Sequence, residues 1–251
     1  MPPRSEIALD RHTLAWLRWS GIAGIAGSLG YAIGDVLLLG NTATATEFPH
    51  LARHVDNLLV QRSAMFLASS TERLAAGALA GVFSTPLYLA GIWHIFQAST
   101  RGGPRWSVPP FLLLVTAMTA APFVHGSFFY VAEILKTIGQ VDQSAQTTLI
   151  ALATRTTLWL FIAYGALAVS AVIGFAWFSI AIARGKTLYA RWVACANPLV
   201  CMFAASLIDR ILPQPLVVLL SGAGLSLGML GFFMLSTAVL WNSPEGRSQP
   251  L

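Results

Sequence analysis

Residues 156–183, TTLWLFIAYGALAVSAVIGFAWFSIAIA, form an unbroken apolar stretch that contains no charged side chain. A helix needs about 20 apolar residues to cross the hydrocarbon core of a bilayer. Five further stretches of similar character lie at 15–40, 71–98, 108–135, 192–212 and 215–241. The sequence therefore predicts an all-α fold, a polytopic membrane helix bundle with six transmembrane helices.

The composition supports one bundle without a separate soluble domain. Of 251 residues, 56% are hydrophobic and 10% are charged, whereas soluble domains have about 25% charged residues. We expect a tail at 1–14, the bundle at 15–241 and a second tail at 242–251. The net charge of +5 comes mostly from short loops, so it does not indicate a nucleic-acid partner.

The distribution of basic residues predicts the orientation. The tails and the turns at 99–107 and 184–191 together hold nine basic residues and three acids, against six and seven on the other side. Basic loops stay preferentially in the cytoplasm. We therefore expect a multi-pass protein of a bacterial cell membrane with both termini cytoplasmic.

The segment 41–70 is long for a connection between two spans. Its second half places Leu51, Val55, Leu58, Leu59, Met65 and Phe66 on one helical stripe. This pattern predicts an interfacial amphipathic helix between the first and second spans, lying on the outer surface or capping the bundle. A seventh crossing is the alternative, and the charges of Arg53, Asp56 and Arg62 argue against it. The linker 137–154 is expected to fold over the same mouth.

Four acids border the apolar stretches: Asp35, Glu72, Glu133 and Asp209. Six crossings bring all four to the outer side of the membrane, and charge next to hydrocarbon is costly. The sequence therefore predicts that they line a polar pocket and supply catalytic carboxyl groups. The alternative is that each is an interfacial charge that reaches water or pairs at a helix end.

Asp35 is the strongest candidate because apolar residues precede and follow it and because Gly30 and Gly34 predict close helix packing beside it. His125 opens HGSFFYVAE, 125–133, the densest polar and aromatic stretch of the chain. It is a candidate proton donor, with a hydrogen-bonded packing residue as the alternative.

Aromatic and basic residues near these acids are candidate substrate-binding groups. Phe83 recurs with Glu72 and His94 at intervals of 11 residues, or about three helical turns. Trp159 follows Arg155 by one turn, which would permit a cation–π contact. The full set of candidates is Tyr31, Phe83, Phe128, Phe129, Tyr130, Trp159, Tyr164, Arg73 and Arg155.

No motif for a metal or a cofactor is present. The chain lacks HExxH and CxxC pairs, phosphate-binding glycine loops and a lysine in the last span, and its mid-helix histidines lie at different depths. We therefore predict no zinc site, no retinal Schiff base and no cofactor.

In size, and in its scattered acids and aromatics, the chain resembles the small integral-membrane terpene cyclases of meroterpenoid and indole-terpenoid pathways. It also resembles multi-pass bacterial proteins with GD-x-LL in the first helix, here Gly34-Asp35-Val36-Leu37-Leu38. The first resemblance implies an enzyme that acts on a lipid-soluble, isoprenoid-like substrate.

Burial favours the neutral form of a carboxyl group, which can then act as a general acid. Aromatic faces can stabilise the resulting carbocation. The expected partners are this substrate and membrane lipids. The alternatives are a small proton-coupled transporter and a partner subunit of a membrane complex.

Overall fold

The computed structural model describes residues 11–41, 43–51, 57–208, 211–213, 216–217 and 221–241. These residues form helices and connecting turns, without a strand. In this part of the chain the α-helices are α1 (Arg11–Leu39), α2 (Leu58–Ser63), α3 (Thr71–Ser99), α4 (Pro104–Ile138), α5 (Gln143–Ala183), α6 (Pro198–Ile208) and α7 (Gly224–Trp241). The predicted all-α bundle is confirmed.

Five helices of the described chain, α1, α3, α4, α5 and α7, are long and apolar enough to cross a membrane. The predicted span 192–212 takes a different form. It consists of a 3-10 helix at Arg191–Ala196 followed by α6, which has 11 residues. Asp209 and Arg210, at the end of that predicted span, lie outside the described residues.

Local sequence signals fix several helix ends. The Ser70 side chain accepts a hydrogen bond from the backbone N–H of Arg73 and so caps the start of α3. Gly103, with φ of +81°, precedes the first-turn Pro104 of α4. After α5, Gly185 has φ of +65°, and the N–H of Lys186 bonds to the Ala181 carbonyl, which is a Schellman ending.

α4 and α5 extend well beyond the predicted spans. The segment 137–154, expected as a linker over the bundle, instead forms the end of α4 and the first turns of α5. Only a four-residue turn, 139–142, separates the two helices. Polar residues such as Gln143 and Gln146 are good helix formers, so the helix continues where hydropathy alone indicates a loop.

The helices pack in the order α6–α7–α1–α3–α4–α5. The closest pair is α1 with α3, where glycines let the two backbones approach. A Cβ atom added to Gly24 would lie 2.9 Å from the Cα of Gly91, and one added to Gly27 would lie 2.5 Å from the backbone nitrogen of Tyr88. We call this contact the α1–α3 seam.

The two ends of the bundle differ in charge. Arg18 at the start of α1 donates two hydrogen bonds to the Trp241 carbonyl at the end of α7, at 3.0 and 2.7 Å. The end of α3 lies there too, because the N–H of Leu188, just after α5, bonds to the carbonyl of Ala98. We call this the arginine-rich end, because it carries Arg18, Arg101, Arg105 and Arg184, and we call the other the Asp35 end.

The segment between α1 and α3 lies against the Asp35 end. Its described residues form a 3-10 helix at Ala45–Glu47, then α2 and a second 3-10 helix at Ala64–Ala68, so the single amphipathic helix expected here is not confirmed. Leu51 and Phe66 are buried, and the Asn57 amide donates to the Thr154 hydroxyl of α5 at 2.8 Å. Residues 52–56, which include Arg53 and Asp56, are outside the described chain.

Candidate active site

Asp35 points into the bundle and is only 8% exposed. Its Oδ2 accepts a hydrogen bond of 2.6 Å from the Ser226 hydroxyl at the start of α7. Its Oδ1 lies 3.5 Å from Nε2 of His125 on α4. Three helices therefore contribute polar groups to one buried point, and a small displacement would let a proton pass between the carboxyl group and the imidazole.

Tyr31 lies one turn before Asp35 on α1 and fixes the other side of the site. The Thr85 hydroxyl donates to the Gly81 carbonyl, so the Tyr31 hydroxyl donates its own proton to Thr85, at 2.7 Å. The Tyr31 ring also meets His125 edge to face, with centroids 4.8 Å apart. Tyr31 is therefore a positioned aromatic neighbour of the imidazole.

His125 is buried but incompletely hydrogen-bonded. Its Nδ1 has no hydrogen-bond partner among the described residues. The imidazole lies directly against Gly81 of α3, where a Cβ atom would be 2.6 Å from the ring carbon Cγ. Gly81 therefore makes room for His125, and a larger residue there would move the ring away from Asp35.

An internal cavity of about 70 Å³ adjoins Asp35 and His125. All five long helices line it, through residues that include Tyr31, Tyr88, Phe128, Tyr164, Leu167 and Ser226. A second cavity of about 250 Å³ lies next to it and shares Leu39, Phe128 and Tyr164 as walls. The remaining walls of the second cavity are mostly apolar, and they come from α5 and the segment 63–66.

The structure does not bring Glu72 or Glu133 to this cavity. Glu133 accepts a hydrogen bond from the Thr71 hydroxyl at 2.8 Å and lies 3.4 Å from the Lys136 ammonium, half-exposed at the Asp35 end. Glu72 is exposed in the first turn of α3. Both acids lie at helix ends, and the rotation of each helix turns them away from the cavity. Asp209 lies outside the described residues.

The predicted basic ligands are also placed elsewhere. The Arg73 guanidinium donates to the carbonyls of Val36, Leu37 and Gly40 at 3.1–3.3 Å, so it caps the end of α1. Arg155 is exposed on α5. Neither lines the Asp35 cavity.

The predicted aromatic ligands divide into two groups. Tyr31, Phe128 and Tyr164 line the Asp35 cavity. Phe83, Tyr130 and Trp159 are 73%, 66% and 59% exposed, so they face outward. Phe129 and Tyr130 line a separate outer groove between α3 and α4. The expected face shared by Glu72, Phe83 and His94 does not exist, because His94 is fully buried while the other two are exposed.

A second buried polar network lies nearer the arginine-rich end. His94 Nδ1 donates to the Leu17 carbonyl at 2.8 Å, so Nε2 of the neutral ring accepts from the Ser236 hydroxyl at 2.7 Å. The Tyr189 hydroxyl then donates to Ser236 at 2.6 Å. Burial raises the pKa of Tyr189, which keeps this hydroxyl a donor. Both nitrogens of His94 are therefore satisfied.

The sequence did not reveal four other residues of this site, which contact Asp35, Tyr31 or His125 or line the cavity: Ser226, Thr85, Gly81 and Tyr88. The best available signal was the Gly77-x3-Gly81 spacing on α3, which matches Gly30-x3-Gly34 on α1 and is typical of close helix pairs. In the described chain, no three His, Cys, Asp or Glu side chains gather as metal ligands.

Residues 17–243 match a family described as "Family of unknown function (DUF6796)". The chain belongs to this family. No curated protein and no solved structure matches it. The match covers nearly all of the described bundle, so the residues of the Asp35 site lie within the part of the chain that matches the DUF6796 family.

Proposed function

We propose that the protein is a membrane-embedded enzyme that acts on a lipid-soluble, isoprenoid-like substrate by acid–base chemistry at Asp35. One observation supports this most: a carboxyl group and an imidazole lie 3.5 Å apart beside a small cavity between the helices, near the Asp35 end of the bundle. Buried ionisable groups are costly within a membrane and are typical of functional sites there.

The two cavities suggest how such a substrate would lie. The reacting end would occupy the smaller cavity, against Asp35, and the hydrocarbon chain would extend past Phe128 and Tyr164 into the larger, apolar one. Ligand pockets usually enclose about 300–1,000 Å³, and these cavities measure about 70 and 250 Å³. The geometry therefore favours a short isoprenoid over a long one.

The proposed reaction is a proton-initiated cyclisation. Asp35 in its acid form gives a proton to a carbon–carbon double bond, which leaves a carboxylate and a carbocation. The faces of Tyr31, Phe128 and Tyr164 would stabilise the cation while the ring closes. A proton lost from the neighbouring carbon passes to Nε2 of His125 and then returns to Asp35, so substrate and product are isomers and no co-reactant is needed.

We also propose six crossings with both termini cytoplasmic. The segment after α5 starts at the arginine-rich end, where Tyr189 bonds to Ser236. α7 starts at the Asp35 end, where Ser226 bonds to Asp35. These two contacts support a sixth crossing by the chain between them, which contains α6. The basic residues of the arginine-rich end favour the cytoplasm.

The direct test incubates purified protein in lipid nanodiscs with linear isoprenoids of increasing length and identifies cyclised isomers by mass spectrometry. Asp35→Asn keeps the shape but cannot protonate an alkene, so we expect turnover to fall at least about 100-fold. Glu133→Gln is the matched control and should retain turnover. Product formation that survives Asp35→Asn would refute Asp35 as the acid, and no product from any isoprenoid would refute the enzyme.

A proton-coupled transporter is the second candidate, because the Asp35 site and the His94 network lie at different depths and both bond to α7. Such buried polar groups could relay protons through a bundle. Proteoliposomes with an internal pH-sensitive dye distinguish the two functions. An enzyme should show no proton flux beyond that of the Asp35→Asn protein, whereas a transporter should show flux that this variant abolishes.

A further inference from the structure

A groove of about 540 Å³ runs along the outside of α4 and α5 at the arginine-rich end. Its floor is apolar and includes Val172, Ile173, Trp177 and Ile180 of α5. Its mouth carries Arg105, in the first turn of α4, and Arg184, which ends α5. The groove lies on the opposite end of the bundle from the Asp35 cavity.

Both guanidinium groups are held by one indole. The central carbons of Arg105 and Arg184 lie 5.2 and 5.5 Å from the ring centroid of Trp106, which is itself buried. Cation–π attraction therefore places two positive charges around the same ring at the mouth of the groove. No salt bridge to an acid is formed by either arginine within the described residues, so their planar donors are available to an anion.

The position of the groove on the helices suits a lipid. Arg105 and Arg184 are at helix ends, and the apolar floor continues from them along about two turns of α5 towards the middle of that helix. Basic pockets between transmembrane helices are suited to acidic headgroups.

We propose that this groove binds an anionic phospholipid. The phosphate group would lie between the Arg105 and Arg184 guanidiniums, and an acyl chain would lie on Trp177 and Ile180. The charge of the mouth selects the headgroup, and the apolar floor requires an attached chain. This site is independent of the proposed enzyme activity.

The test uses nanodiscs of phosphatidylglycerol mixed with phosphatidylcholine, and native mass spectrometry counts the lipids that stay bound after gentle detergent extraction. Wild type should retain phosphatidylglycerol preferentially. Arg105→Gln combined with Arg184→Gln should reduce that preference about tenfold or more, since each arginine near the surface contributes to acidic-lipid binding. The matched control is Arg101→Gln with Lys186→Gln, which removes the same charge at the same end and should keep the preference.

A second arm separates a lipid site from an ion site. Inorganic phosphate at millimolar concentration should not displace the retained lipid, and Trp177→Ala should weaken retention without altering either arginine. Three results would each overturn the proposal. They are an equal loss of phosphatidylglycerol preference in both double variants, an unchanged preference in the Arg105→Gln, Arg184→Gln variant, and displacement of the retained lipid by free phosphate. Thermal unfolding of every variant checks that the bundle is intact, and the two single arginine variants replace the double one if it unfolds.

Discussion

Two buried histidines of this bundle have opposite surroundings. His94 is fully buried and uses both ring nitrogens, towards Leu17 and Ser236. His125 is held mainly by ring contacts, has Nδ1 without a partner in the described chain, and adjoins a cavity. A satisfied histidine in a membrane bundle stabilises it, whereas an unsatisfied one beside a cavity and a carboxyl group is available for chemistry.

Both sites bond to serines of α7 and both depend on α1. Ser226 contacts Asp35, and Ser236, ten residues later, contacts His94. Each site also has a hydrogen bond across the α1–α3 seam, from Tyr31 to Thr85 in one and from His94 to the Leu17 carbonyl in the other. Substitutions in the two networks and in the seam should therefore have separate effects.

The largest difference is expected when each histidine is replaced by leucine, which keeps most of the side-chain volume. His94→Leu removes the acceptor of the buried Ser236 hydroxyl and the donor to Leu17, and should lower the free energy of unfolding by about 3 kcal/mol. His125→Leu should change it by less than about 1 kcal/mol, because no hydrogen bond of ordinary length is lost, yet it should abolish turnover.

Thermal and denaturant unfolding in detergent, followed by tryptophan fluorescence, measures both variants. If His125→Leu destabilises the bundle as much as His94→Leu does, the two histidines do not differ in their contribution to stability.

The next largest effect on stability is expected at the α1–α3 seam. Gly27→Ala places a methyl group against the Tyr88 backbone, so α1 and α3 must move apart at a cost of about 2 kcal/mol. Gly165→Ala on α5 is the matched control, since no atom lies within 4 Å of the added Cβ, and it should be neutral or slightly stabilising. Equal melting temperatures of the two variants would show that the seam is not tightly packed.

The smallest effect is expected at the outer member of the His94 network. Tyr189→Phe keeps the ring packed against Phe178 and Phe232 but removes the donor to Ser236, which should cost about 1 kcal/mol. Hydrogen exchange of segment 184–190 should rise, because Tyr189 ties it to α7. Tyr130→Phe, on an exposed side chain, is the control, and a similar change in exchange there would argue against this tie.

Apolar run length predicted the helices of this bundle but not their full extent. Hydropathy detects only the part of a helix that lies in hydrocarbon, so it missed the first 13 residues of α5, whose glutamines and threonines stay helical beyond it. It also predicted a full span at 192–212, where the described chain forms a 3-10 helix and the short α6.

The apolar residues around Asp35 marked it as a candidate, and it is buried in the bundle, but the sequence could not tell which of the other candidates face inward. In lipid, aromatic side chains such as Phe83 and Trp159 are as stable outside the bundle as inside, because the solvent is itself apolar. Small residues are more informative, since Gly77 and Gly81 mark the face of α3 that meets α1 and His125. The functional role assigned to Asp35 stays a prediction.

The length of α5 has a mechanical consequence. A helix of 41 residues measures about 60 Å, roughly twice the thickness of the hydrocarbon core. It must therefore tilt or extend beyond the membrane. Asn57 attaches the segment at the Asp35 end to Thr154, in the first half of α5. A thinner or thicker bilayer that changes the tilt of α5 would therefore also move the segment between α1 and α3.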